Sequence, residues 1–196
     1  MNKFLFFKIS AIIFFVGCTS NISKSSEIDL KFKALDSEVT GVTFNNELKS
    51  NNDLNIIEYL YYYNGGGVAL GDINNDGLDD IFFSGNEVND ELYLNQGNMV
   101  FKNISKSSGI FSQNNWSTGA SMADINNDGY IDIYVSTVSE YKNLKGHNRL
   151  YINNGDLTFT ESSKKIGLDF EGFGTHASFF DYDNDGDLDV YLLNHT

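Results

Sequence analysis

Residues 72–80, DINNDGLDD, put four aspartates and two asparagines around one glycine. Like charges crowded this closely repel unless a cation draws them together. With Asp72 as position 1, the residues Asp72, Asn74, Asp76 and Asp80 stand at positions 1, 3, 5 and 9, with Gly77 at position 6. Alternate side chains of a tightly curled loop converge on one point, and the glycine is expected to take a sharp turn that a Cβ would obstruct. Position 7, here Leu78, is expected to add its backbone carbonyl. Oxygen-only ligands, several of them charged, suit a hard and flexibly coordinated cation, Ca²⁺.

The nonamer returns as DINNDGYID from Asp124 and as DYDNDGDLD from Asp181, at spacings of 52 and 57 residues. The second set is then Asp124, Asn126, Asp128 and Asp132 with the carbonyl of Tyr130. The third is Asp181, Asp183, Asp185 and Asp189 with the carbonyl of Asp187. A single such loop could be no more than a good turn, since Asp, Asn and Gly favour turns. Three at the same place in a repeat, with positions 1, 3, 5, 6 and 9 kept, favour metal binding. An EF-hand is excluded because position 12 holds Phe83, Val135 and Leu192 where a bidentate Glu is needed. Without that Glu the expected Kd is modest, ~10⁻⁴–10⁻³ M, with the third and most acidic loop binding tightest.

A second landmark fixes the unit. ELYLNQGNMVFKNISKSSGI (91–110) aligns with RLYINNGDLTFTESSKKIGL (149–168), matching Tyr93 to Tyr151, Asn95 to Asn153, Gly97 to Gly155 and Phe101 to Phe159. The distance from nonamer to tyrosine grows from 21 to 27 residues, so the second unit carries an insertion around YKNLKGHN, expected on a surface loop. VALGD and MADIN enter the acidic turns, DIFFSG and DIYVST leave them, and LYLN/VFKN and LYIN/TFTE follow across Asn-Gly-type turns. That is about four short strands per unit of roughly fifty residues, with no convincing helical period. The expected fold is all-β: β-propeller blades with calcium-binding hairpin loops, incomplete or open because fewer than three units are present and a propeller needs about four to eight. A β-sandwich array is the alternative, disfavoured because no polar linker separates the units.

The net charge of −14, from 13 basic and 27 acidic residues, argues against nucleic acid and for a cation or a basic partner. Residues 1–18, MNKFLFFKISAIIFFVGC, read as a secretory signal with a basic start, an apolar middle too short to span a bilayer, and a small residue before the cysteine. FVGC resembles a bacterial lipobox, so Cys18, the chain's single cysteine, is expected to be lipidated. Residues 19–30 are then a polar tether and 31–196 the propeller region. The expected location is the bacterial cell envelope, on the outer membrane, with membrane contact through the lipid alone.

The pattern D-x-[DN]-x-D-G-x-x-D between strands resembles the FG-GAP and VCBS repeats of integrin-α-type propellers. More closely, YLYYYNGGGVALGDINNDGLDDIFFSGN and WSTGASMADINNDGYIDIYVS resemble bacterial VCBS-repeat lipoproteins related to cartilage acidic protein (the ASPIC/UnbV-type propeller family). The resemblance covers residues 40–196 and implies a propeller of seven or so blades with calcium held by the loop residues named above. It carries no catalytic residue across, so the chain is expected not to be an enzyme. It also implies that the sequence is an N-terminal fragment of a longer protein.

Other chemistry is thinner. NGGGVALG lacks the Lys-Ser/Thr of a phosphate loop and precedes a strand, so tight packing is its expected role. His176 stands where the other units have Gly67 and Gly119; it could line a channel, but a lone His with no evident partner is usually structural. His147 and His195 suggest no partner. Trp116 and the YLYYY run could stack on sugars, although core packing is the commoner fate. The expected function is a lipid-anchored, calcium-binding propeller module for a protein or glycan ligand. The alternative is a propeller enzyme acting on polysaccharide.

Overall fold

The computed structural model describes residues 32–110 and 115–195. The chain divides into Met1–Ala34 and Leu35–Thr196, and the account below concerns the second unit. The expected signal, the tether and Cys18 lie outside the described residues.

After a single helical turn, α1 (Ser37–Thr40), ten strands follow: β1 Val68–Gly71, β2 Asp80–Phe83, β3 Glu91–Asn95, β4 Phe101–Asn103, β5 Trp116–Ala123, β6 Asp132–Val138, β7 Arg149–Asn153, β8 Phe159–Glu161, β9 Gly174–Phe180 and β10 Asp189–Asn194. They form two antiparallel four-stranded sheets, β1-β2-β3-β4 and β5-β6-β7-β8, and an antiparallel pair, β9-β10. Helical turns α2 (Ser105–Ser108) and α3 (Ser163–Ile166) leave β4 and β8, each stopped by a left-handed glycine, Gly109 or Gly167. The register repeats with the sequence. Leu70 pairs with Ile81, Ile81 with Tyr93 and Tyr93 with Asn103; Met122 with Ile133, Ile133 with Tyr151 and Tyr151 with Glu161.

Side-chain alternation then decides which faces meet. Ile133 and Val135 of β6 join Phe82, Leu92, Ile104 and Ile110 in one core between the first two sheets. Tyr134, on the other face of β6, joins Leu150 and Ala177 against Phe179, Val190 and Leu192 of the third pair. With sheets on both faces, every residue of β6 is buried, whereas β10 is mostly exposed. These are stacked propeller-type blades, and among the described residues they form an open arc.

The first strand of each blade lies against the first strand of the next, β1 beside β5 and β5 beside β9. Glycine makes that approach possible. A Cβ on Gly67 would fall 2.7 Å from the Ala120 nitrogen, and one on Gly119 would fall 2.3 Å from the Thr175 carbonyl oxygen. Gly66 is tighter still, with its Cβ 1.9 Å from the Ser84 oxygen, so NGGG is a packing motif. Hydroxyls tie the same seam: Ser84 Oγ donates to the Thr118 carbonyl at 2.9 Å and Thr118 Oγ1 to the Gly174 carbonyl at 2.8 Å. A buried ion pair also crosses between the first two blades, Arg149 Nη2 to Asp90 Oδ2 at 3.3 Å.

The segment before β1 closes one end. Tyr59 and Tyr62 pack with Trp116 and Val138 over Leu48, Leu54 and Phe173. Trp116 is 1% exposed, so the core role prevails over a sugar platform. Within YLYYY a turn splits the run, with Tyr59 and Tyr62 inside and Leu60, Tyr61 and Tyr63 outside. His195 does have a partner: its Nε2 lies 3.2 Å from Tyr59 Oη, and its ring lies against Tyr61. His147 Nε2 stands 4.0 Å from Glu161 Oε1.

Candidate metal centres

Each acidic nonamer is the tip of the hairpin between a blade's first two strands, β1–β2, β5–β6 and β9–β10. The turn is shaped by two left-handed residues. Gly77, Gly129 and Gly186 have φ of 86°, 88° and 96°, and position 4 is Asn75, Asn127 and Asn184 with φ of 59°, 57° and 63°. Asn tolerates this region better than most residues do. The expected obstruction of a Cβ at position 6 is corrected here: nothing lies within 4 Å of a Cβ built on any of the three glycines, so the requirement is one of φ alone. Asn at position 4 in all three loops is the sequence signal of the second left-handed residue.

Backbone N–H groups aim the carboxylates. In the first loop Asp72 accepts from Asp76 N at 3.1 Å and Gly77 N at 2.7 Å, and Asp76 accepts from Leu78 N at 2.9 Å. The second loop repeats this, with Asp124 accepting from Asp128 N at 3.0 Å and Gly129 N at 2.8 Å, and Asp128 from Tyr130 N at 2.9 Å. In the third loop Asp181 accepts from Gly186 N at 3.2 Å and Asp185 from Asp187 N at 3.1 Å. Burial tends to raise the pKa of Asp72, but the N–H groups of Gly77, Asp76, Asn74 and Asn75 outweigh it and lower the pKa below the usual value.

Position 9 has a structural part that its spacing did not disclose. Asp80 and Asp132 are 1% and 0% exposed. Asp80 accepts from Ile73 N at 3.0 Å and Asn95 N at 2.7 Å; Asp132 accepts from Ile125 N at 3.0 Å and Asn153 N at 2.8 Å. One carboxylate thus pins the loop entry to the end of the third strand. Burial, followed by the charges of the loop's other aspartates, pushes both pKa values up despite these bonds. Asn95 and Asn153, recognised in the sequence only as a repeat landmark, are the partners that give position 9 this role. Asp189 is exposed and accepts from Tyr182 N at 2.9 Å.

The donor sets differ among the loops. Asn74 Oδ1 is buried and has no hydrogen-bond donor, as a ligand oxygen kept for a cation would be. In the second loop Asn126 Oδ1 accepts from Asp128 N at 3.1 Å. Among the described residues, one trio of carboxylates has oxygens all within 4.8 Å of one another, Asp181, Asp183 and Asp189. Asp187 is drawn into the same crowd: its hydrogen bond to Asp185 and that neighbour's charge raise its pKa. Position 7 also packs locally. Tyr130 lies over Gly155, whose Cβ would fall 2.9 Å from the ring, and Leu78 lies over Gly97.

His176 lies on the inner-strand surface, in a shallow groove with Ala69, Ala120, Ser121, Met122 and Phe179; this lining contains no carboxylate.

Stacked four-stranded antiparallel blades with an acidic hairpin at the same tip of each define a repeat protein of the propeller type. The chain belongs to the FG-GAP-like repeat family, whose model matches residues 72–135 and 138–192. It is similar to cartilage acidic protein 1 of Xenopus tropicalis and of Mus musculus, each 31% identical over 137 residues, which is 68% of this chain and 20% of theirs. The Homo sapiens protein of that name is 28% identical over the same length. The chain therefore spans about a fifth of the length of these relatives. They are vertebrate proteins, and they overturn the expected placement in a bacterial envelope. That placement rested on the short FVGC match, whereas the likeness to the vertebrate proteins extends over 137 residues.

Proposed function

We propose that the chain is a calcium-stabilised propeller module that binds a protein or glycan ligand and performs no catalysis of its own. The observation that carries the calcium reading is the repeated loop in which backbone N–H groups hold the carboxylates, with Asn74 Oδ1 buried without a donor in the first loop and Asp181, Asp183 and Asp189 drawn together in the third. The ion would be held by positions 1, 3, 5 and 9 of each loop together with the position-7 carbonyls, and it would offset the repulsion among their carboxylates. Nothing about this role needs a reactive group. His176, the residue the enzyme alternative relies on, shares its groove with apolar and hydroxyl side chains.

The test is differential scanning calorimetry of the chain in calcium and in EDTA. At calcium ten times Kd each site stabilises the fold by about 1.4 kcal/mol. Three sites together then raise the melting temperature by ~8–16 °C for a domain of this size. An unchanged melting temperature in chelator refutes the reading.

A further inference from the structure

Among the described residues, a large cavity lies on the side of the blades away from the acidic tips. It is a cleft of about 810 Å³, formed by the segment before β1, the β2–β3 loop and the loop inserted between β6 and β7. That volume is typical of small-ligand sites. The acidic loops supply none of its lining.

Its chemistry is that of uncommitted amides over an apolar floor. Asn89 and Asn143 line the cleft, are exposed, and make no side-chain hydrogen bond among the described residues. Asn51 uses its Oδ1 to accept from Asp53 N at 2.8 Å and Leu54 N at 2.9 Å, which leaves its Nδ2 to donate. Leu54 and Leu144, each half-buried and packed on the enclosed Trp116, form the apolar part. An amide offers a donor and an acceptor side by side, which matches a pair of neighbouring hydroxyls. An apolar surface beneath suits the C–H face of a sugar ring. Two ammonium groups, Lys49 and Lys145, also line the cleft, but each has a glutamate of its own: Glu47 at 3.8 Å and Glu140 at 3.2 Å. Glu87 also lines the cleft, its carboxylate accepting from Lys49 N and Tyr62 Oη, so the rim carries no excess of positive charge, and the chain as a whole, at −14, repels polyanions.

We infer that this cleft is a binding site for a short neutral oligosaccharide, recognised by Asn51, Asn89 and Asn143. The inference rests on the glycan side of the function proposed above and names its site and ligand class. It also gives the insertion around YKNLKGHN a purpose, since Asn143, Leu144 and Lys145 are the wall it contributes.

Trp116 is the chain's single tryptophan and lines the cleft, so its fluorescence reports on occupancy. The full chain, in calcium, is titrated with xylohexaose, cellohexaose and mannohexaose, with oligogalacturonate as the acidic arm. At least one neutral sugar is expected to give a saturable change, and Asn89→Ala and Asn143→Ala are expected each to weaken it by about three- to tenfold, the loss of one neutral hydrogen bond. Both residues are exposed, so an unchanged melting temperature confirms that each variant folds. No saturable change with any neutral sugar, binding indifferent to both variants, or tighter and salt-sensitive binding of oligogalacturonate each overturns the inference. Melting in calcium and EDTA is run on the same samples. A calcium-dependent melting temperature without sugar binding sinks this site but leaves the calcium reading intact, and the reverse result does the opposite.

Discussion

Replacing Asp132 with Asn separates the two roles that position 9 combines. Asp132 is fully buried, and its oxygens accept from Ile125 N at 3.0 Å and Asn153 N at 2.8 Å. Asparagine keeps one acceptor but turns an NH₂ toward the other N–H, so one charge-assisted bond is lost and a buried donor is stranded. A bond to a charged group contributes about 1.5–3 kcal/mol, and a stranded buried donor costs about 1–3 kcal/mol; these overlap, so the expected loss is ~3 kcal/mol. For a domain of this size that lowers the melting temperature by ~6–12 °C. Asp189→Asn is the control: that residue is exposed and accepts from a single N–H, Tyr182 at 2.9 Å, so its loss should stay below ~1 kcal/mol. Urea denaturation in EDTA is the assay, because chelator removes any ligand role and leaves the hydrogen bonds. If Asp132→Asn matches the parent there, or if Asp189→Asn loses as much, position 9 is not the staple argued above.

Three further outcomes test the frame. Arg149→Met leaves Asp90 buried without this ion pair and should cost about 3–5 kcal/mol by denaturant titration, while adding Asp90→Leu should recover part of the loss. Gly119→Ala sets a methyl 2.3 Å from the Thr175 oxygen and should destabilise by more than ~2 kcal/mol, whereas Gly129→Ala meets open space and should cost ~1–2 kcal/mol for its φ alone. Tyr134 and Tyr59 should titrate at about 12 when followed by absorbance at 295 nm, since burial raises both phenols before their neighbours act. With the unfolded phenol near 10, stability from these groups is at its full value below pH ~10. It falls as pH rises through about 12, because the unfolded chain gives up its protons first.

The repeat was readable because each part of it is local. A loop of nine residues with Asn and Gly at the left-handed places curls by its own backbone preferences, and alternating strands around it need only the next turn. Hence the antiparallel blades, the order of acidic and amide residues within each loop and the position of the insertion all followed from spacing in DINNDGLDD, ELYLN and their copies. Site residues such as Asp72 and Asp76 kept their expected place at the tip, since their partners, Asp76 N, Gly77 N and Leu78 N, are within six residues.

The sequence by itself settled the four-stranded unit, its repetition and the acidic tips. The tertiary structure decided what each residue faces: Asp132 buried and pinned to Asn153, Asp189 left exposed, Trp116 enclosed and the amide-lined cleft left open. Burial and electrostatic environment come from groups brought close through space, and a strand's neighbours across a blade are dozens of residues away. A spacing rule reads the chain along its length; which face of β6 meets which blade is fixed only when the sheets stack.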